Sequence, residues 1–247
     1  MKANSRALYS LWVLAVLVLL VAQAPARLAG SVMGSSIHVS GSSGTIWNGR
    51  YARVVMPLNE HYLALGHVDW SLNPWSLLRL SPELDVVTRW GAQRIDMTVE
   101  FGPSGQVTVS ELHARMDTTW IQHIIPLYVS GELAIDVEHL VWRDATIDSM
   151  DARVVWEDAA WAAYAGHVPL GTYALDLSGV SGELDGVVRT LSGPLTVDGS
   201  VSLAERVYQI NMSLSGAALN NSGLRDALSL LAVPAGDEWQ IALSGTL

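Results

Sequence analysis

The chain has 247 residues, half of them hydrophobic, with 24 acids against 14 basic residues, a net charge of −10 and no cysteine. That length allows one or two domains of roughly 100–200 residues each. The missing cysteine excludes disulfides, thiolate metal ligands and a cysteine nucleophile, and the acidic balance makes nucleic acid a poor electrostatic partner.

Residues 1–7 carry Lys2 and Arg6 and no acid, and form a short basic tail. Residues 8–24, LYSLWVLAVLVLLVAQA, are uncharged, and as a helix they cover roughly 25 Å, the short end of a bilayer span. A cleaved signal peptide is the competing reading, because Ala22-Gln23-Ala24 has the look of a cleavage site. Pro25 follows directly, however, and its ring and fixed φ suit a peptidase cleft poorly. The run is also long for a signal peptide, so a transmembrane anchor is favoured. The basic tail then predicts a cytoplasmic N-terminus, with the rest of the chain exported to the periplasm in a bacterium. All 24 acids follow the apolar run with 12 of the basic residues, a balance of −12.

Residues 25–43 are small and Ser/Gly-rich and read as a flexible tether. From 44 to 247 the dominant period is two, which predicts one β-rich periplasmic domain. Residues 94–101 alternate polar and apolar without exception, and 133–137, 195–198, 208–214 and 239–243 repeat the pattern. Alternation puts one face on a core and one in water, the habit of antiparallel sheets. Gly102-Pro103-Ser104-Gly105 reads as a hairpin turn. After Ser110 the apolar phase slips by one, which predicts a bulge. Short helices are expected at 73–78, opened by Asn73 and Pro74, at 119–125, and at 222–231. Ser-Gly-[Glu/Thr]-[Leu/Ile] recurs at 43, 130, 181 and 244, and reads as a turn that starts a strand. The expected fold is therefore mostly β: one N-terminal transmembrane helix, an extended antiparallel sheet and a few short helices.

No catalytic constellation emerges. His38, His61, His67, His113, His123, His139 and His167 show neither the i, i+4 spacing of a zinc protease helix nor a His-x-His strand pair. The only lysine is Lys2, so a phosphate-binding P-loop is excluded. Asp96, Glu100, Glu132, Asp136 and Glu138 fall on polar strand phases and read as a solvated face. No metal, cofactor or enzymatic activity is expected.

Ten tryptophans against one phenylalanine are the distinctive usage. Tryptophan joins a large apolar surface to one N–H donor, which suits cores and partner interfaces alike. Trp156, Trp161 and Tyr164 fall in the less regular stretch WEDAAWAAYAG, and are candidate partner contacts.

An ordered set of motifs then carries a resemblance. After the anchor comes Gly44-Thr45-Ile46-Trp47-Asn48-Gly49, then Val68-Asp69-Trp70-Ser71-Leu72-Asn73-Pro74-Trp75-Ser76-Leu77-Leu78. Gly131-Glu132-Leu133, Leu170-Gly171-Thr172-Tyr173, Gly193-Pro194-Leu195-Thr196-Val197-Asp198-Gly199 and the closing strand 241–247 follow. In order and spacing the chain resembles the type II secretion system protein N family, also called general secretion pathway protein N. That resemblance implies a non-enzymatic inner-membrane component of the machine that exports folded proteins across the outer membrane. Its periplasmic domain would contact other components of the machine. Gly44, Thr45, Trp47, Gly49, Trp70, Pro74, Gly171, Gly193 and Gly199 are its signature positions, with fold-defining roles. A second reading from the residues is a tethered lipid-binding or lipid-transfer protein whose apolar sheet face shields acyl chains.

Overall fold

The computed structural model describes residues 3–30, 37–58, 61–118, 129–144, 146–163 and 166–246. The helix expected at 119–125 and the candidate contact Tyr164 lie outside the described residues. The chain divides into two compact units, Met1–Trp90 and Gly91–Leu247.

The first unit opens with α1 (Ala3–Ala22) and a single turn, α2 (Arg27–Gly30). Four strands follow: β1 (His38–Gly44), β2 (Asn48–Leu58), β3 (His61–Leu72) and β4 (Glu83–Trp90). They pair antiparallel in chain order. The described side chains of α1 are open to solvent, with Trp12 at 67% and Leu20 at 67%. Among the described residues no helix is long and apolar enough to cross a membrane. Several α1 side chains, Leu11 and Leu14 among them, lie outside that set.

The tether expected at 25–43 is ordered at both described ends. Pro25 bridges to Thr45, the Ala26 N–H donates to the Gly44 carbonyl, and Ala26 is buried. Residues 38–43 belong to β1. Their Ser/Gly composition hid a strand because β1 buries almost nothing of its own: its partner β2 supplies the hydrogen bonds.

The second unit holds β5 (Gln93–Phe101), β6 (Val107–Asp117), β7 (Val129–Arg143), β8 (Thr146–Ala163), β9 (Gly166–Val180), β10 (Glu183–Ser192), β11 (Thr196–Ala204) and β12 (Val207–Ser215). A 3-10 turn (Ala217–Asn220) and α3 (Ser222–Leu228) intervene before β13 (Val233–Ala235) and β14 (Glu238–Thr246). The strands run in chain order from β5 to β12, then β14, with β13 on its far side. Every observed pairing is antiparallel.

Local chemistry accounts for much of this. The Gly102 N–H donates to the Gln106 carbonyl at 2.8 Å and closes the expected hairpin. The phase slip after Ser110 is a bulge: Glu111 has φ +52°, and the register shifts opposite Met97. Asn221 caps α3 by accepting from the Leu224 N–H at 3.0 Å. The Ser-Gly phrase follows expectation only in part. Ser181-Gly182 is a turn between strands and Gly44 opens the one between β1 and β2, but Gly131 and Gly245 lie inside strands, where a Cβ would run into the rings of Trp156 and Tyr208. These glycines mark close approach of an aromatic ring to the backbone.

Two cores form. In the first unit Ala26, Tyr51, Val54, Val68 and Trp70 bury together. In the second, Ala159, Leu170, Tyr173, Leu195 and Leu214 meet Ala218, Leu219 and Leu224 of the 3-10 turn and α3.

Candidate interaction surfaces

The first unit gathers the N-terminal signature around the end of α1. The Thr45 N–H donates to the Asn48 carbonyl at 2.9 Å, while Thr45 Oγ1 accepts from the Asn48 N–H at 3.2 Å. That tight turn throws Trp47 toward the helix, and its indole Nε1–H donates to the Val21 carbonyl at 2.9 Å. The Val21 carbonyl also accepts the Ala24 N–H at 3.2 Å, so Trp47 adds a second donor to the helix end from 26 residues away. Trp70 lies over Gly49, where any Cβ would occupy the ring's place. Its indole donates to the Ile46 carbonyl at 3.1 Å. Tyr51 packs on Trp70 with ring centroids 4.6 Å apart, and its hydroxyl donates to the Ala26 carbonyl at 3.3 Å. Burial pushes the Tyr51 phenol up, offset in part by a backbone hydrogen bond at Gly30. Gly44 has φ +85°, the left-handed conformation glycine adopts without strain. Pro74 is exposed, one residue before Trp75 and the 3-10 turn Ser76–Arg79.

In the second unit Gly171 and Gly193 face each other. A Cβ on either would strike the other's backbone, so the pair sets how closely β9 and the end of β10 approach. Gly199 plays the same part against Asn211 and Met212. Next to the glycine pair, the Tyr173 hydroxyl lies 2.9 Å from both the Leu170 and Leu195 carbonyls. Burial pushes its pKa up to about 12.

The candidate partner contacts Trp156 and Trp161 are half-buried. The Trp156 indole donates to the Ser130 carbonyl at 3.3 Å, and its ring centroid is 6.0 Å from that of Tyr173. Trp161 lies against Gly223 of α3. Both line an apolar cleft of about 290 Å³ between the sheet and α3, shared with Val188, Met212, Leu228 and Leu231. The stretch WEDAAWAAYAG looked irregular because Asp158 sits at φ +50° and the β8–β9 register shifts there, which reverses the alternation inside a real strand.

The opposite face of the second unit is charged. Asp96, His113, Asp136, Arg153 and Asp176 stand in register across β5 to β9. His113 Nδ1 is 2.6 Å from Asp136 Oδ1, and Arg153 Nε is 3.5 Å from Asp176 Oδ1. Arg94, Arg115 and the first three members border a shallow depression of about 250 Å³. Sequence reading missed this row because its members are 17–23 positions apart; their alternation of carboxylates with nitrogen bases becomes visible only once the register is known. Among the described residues no group of three or more histidines and acids is placed to hold a metal ion.

With this geometry in view, comparison with known proteins gives one consistent answer. The protein-family model described as "Type II secretion system (T2SS), protein N" matches residues 35–241. The chain is 26% identical to "Type II secretion system protein N" of Aeromonas hydrophila over 208 residues, covering 81% of this chain and 80% of the relative. It is 25% identical to the protein of the same name from Vibrio cholerae serotype O1 over 166 residues, 64% of each chain. No solved structure matches. The signature residues that tie β1–β3 to the helix, and those that close the second core, fall within the matched span, and the chain belongs to the type II secretion system protein N family.

Proposed function

We propose that this chain is a non-enzymatic component of a type II secretion system, held in the inner membrane by α1 and acting through protein contacts of its periplasmic strands. The observation that carries the reading is the family match across residues 35–241. The anchor is supported by the uncharged run at 8–24, by the basic tail before it, and by the exposure of Trp12, Leu17 and Leu20 on α1. Partner contact through strand pairing is supported by the outer end of β14. There β13 covers only Glu238, Trp239 and Gln240, which leaves backbone donors and acceptors along an edge. Crosslinking in cells, followed by purification of the chain, tests the reading: other secretion components are expected in the crosslinked fraction. A deletion strain that secretes and assembles its machine as the parent does would sink it.

The cleft under α3 favours a second reading, an acyl-chain site. Its walls are apolar, and the polar atoms of Trp156 and Tyr173 are already used on backbone carbonyls. Its volume lies near the low end of the about 300–1,000 Å³ typical of small-molecule pockets. Native mass spectrometry of the purified chain is expected to retain phospholipid if this is so, and lipid-free protein would argue for a plain core.

A further inference from the structure

The turn that joins β3 to β4 has its polarity inside out. Its small polar residues point inward and hold the backbone. The Ser76 hydroxyl donates to the Asn73 carbonyl at 2.6 Å and accepts from the Glu83 N–H at 2.9 Å. Asn73 Oδ1 accepts from the Trp75 N–H at 3.1 Å, and Ser76 is buried. Its large apolar residues point outward, with Trp75 exposed at 74%, Leu78 at 77% and Leu80 at 73%. Leu80 also sits at φ +56°, where glycine is the strain-free choice, so a leucine is kept in a left-handed conformation to hold an apolar side chain in water. Ordinary turns in water show the reverse arrangement.

The place of this knuckle gives it a partner. Asn73 follows Leu72, whose N–H donates to the Trp47 carbonyl at 2.7 Å, and the Trp47 indole holds the Val21 carbonyl in the last turn of α1. The knuckle therefore stands two hydrogen-bonded steps from the point where the helix ends. Arg79 lies within it, and Arg27 follows the helix, both exposed. The chain's net charge of −10 is repelled by an anionic surface, so any contact there has to be local, apolar and fringed by cations. Tryptophan, leucine and arginine together are the chemistry of a membrane interface.

We infer that Trp75, Leu78 and Leu80 form a second membrane contact, dipping into the phospholipid interface beside the exit of α1. This inference rests on the anchor reading. The two contacts together fix how the first unit stands on the bilayer, which one helix alone leaves free to swivel.

The absence of cysteine makes a single-site test direct. The full chain carrying Leu78→Cys, labelled with an environment-sensitive fluorophore, is reconstituted into liposomes of mixed zwitterionic and anionic phospholipid. The expected result is a blue shift and quenching by lipid brominated near the headgroup. A label at Ser104→Cys, on the exposed hairpin of the second unit, is expected to show neither. Alkaline carbonate extraction of the same liposomes reports the anchor separately. A chain that resists carbonate while its Leu78→Cys label stays in water overturns the inference and leaves the anchor intact. Shielding that appears only after other secretion proteins are added overturns it in favour of a protein partner. Release by carbonate removes the anchor, and this contact with it.

Discussion

Each unit is built around a buried tyrosine, a tryptophan and a glycine beneath the tryptophan ring, yet the two clusters do different work. In the first, Tyr51 and Trp70 are 1% and 7% exposed, and their centroids are 4.6 Å apart over Gly49. The cluster is sealed, and its hydrogen bonds reach Ala26 and Ile46, beside the end of α1. In the second, Tyr173 is buried but Trp156 only half so, their centroids are 6.0 Å apart, and a cleft of about 290 Å³ opens beside them. The difference teaches that one aromatic device can close a joint or line a cavity. What decides is the neighbour: a tightly threaded chain end in one case, a short helix laid across a sheet face in the other.

Removing the tryptophans should separate the two most strongly. Trp70→Ala is expected to cost about 3–5 kcal/mol, because a buried ring leaves a cavity in a sealed core. Trp156→Ala should cost clearly less, since part of its surface is already open to solvent. Urea unfolding followed by fluorescence measures both, and equal losses would break the contrast.

The glycine pair sharpens the picture of the second cluster. Gly171→Ala is expected to destabilise by about 1–3 kcal/mol, because the new methyl must displace the backbone of Gly193. Gly166→Ala, also at positive φ but with open space around it, should cost only the conformational strain, about 1 kcal/mol. Comparing the two melting temperatures separates packing from strain.

The tyrosines differ next. Tyr173→Phe removes a hydroxyl held between the Leu170 and Leu195 carbonyls, the first of which keeps the Leu195 N–H, and is expected to lose about 1–2 kcal/mol against about 0.5–1.5 for Tyr51→Phe, whose hydroxyl makes one longer bond. Tyr173 also gives a pH signature. Its folded pKa of about 12 lies above its ordinary value of 10.0, so the unfolded chain loses this proton first. The contribution is complete below pH 10 and declines as pH rises toward 12. Chemical unfolding across that window should show wild type losing stability faster than Tyr173→Phe; parallel curves would contradict the assignment.

The smallest effect is expected on the charged face. Asp136→Asn removes one partner of an exposed pair, with side chains 68% and 53% open to solvent, and should shift stability by no more than about 1 kcal/mol. A larger loss would mean that the row across β5 to β9 acts as a network.

Much of the fold was legible in the sequence for a simple reason. Alternation at 94–101 and 208–214 reports a half-buried strand wherever it occurs, and it became β5 and β12. The bulge after Ser110 was readable from the phase slip, and a helix was expected over 222–231, of which α3 takes Ser222–Leu228. Other parts gave the wrong local signal. β1 is Ser/Gly-rich and offers the first core only Val39, and β8 hides its alternation behind a register shift at Asp158. The same shift made Trp156 and Trp161 look exposed, when they line the cleft.

The sequence by itself determined the period of the strands, the division between an apolar helix and an acidic sheet, and the family. These depend on residues near one another in the chain, or on their order. Only the tertiary structure decided that Trp47 reaches the end of α1, that Gly171 meets Gly193, and that His113 meets Asp136. Each of those contacts joins positions 22 or more residues apart. Strand register sets the last two, and register follows from every turn and bulge between, which no single motif encodes.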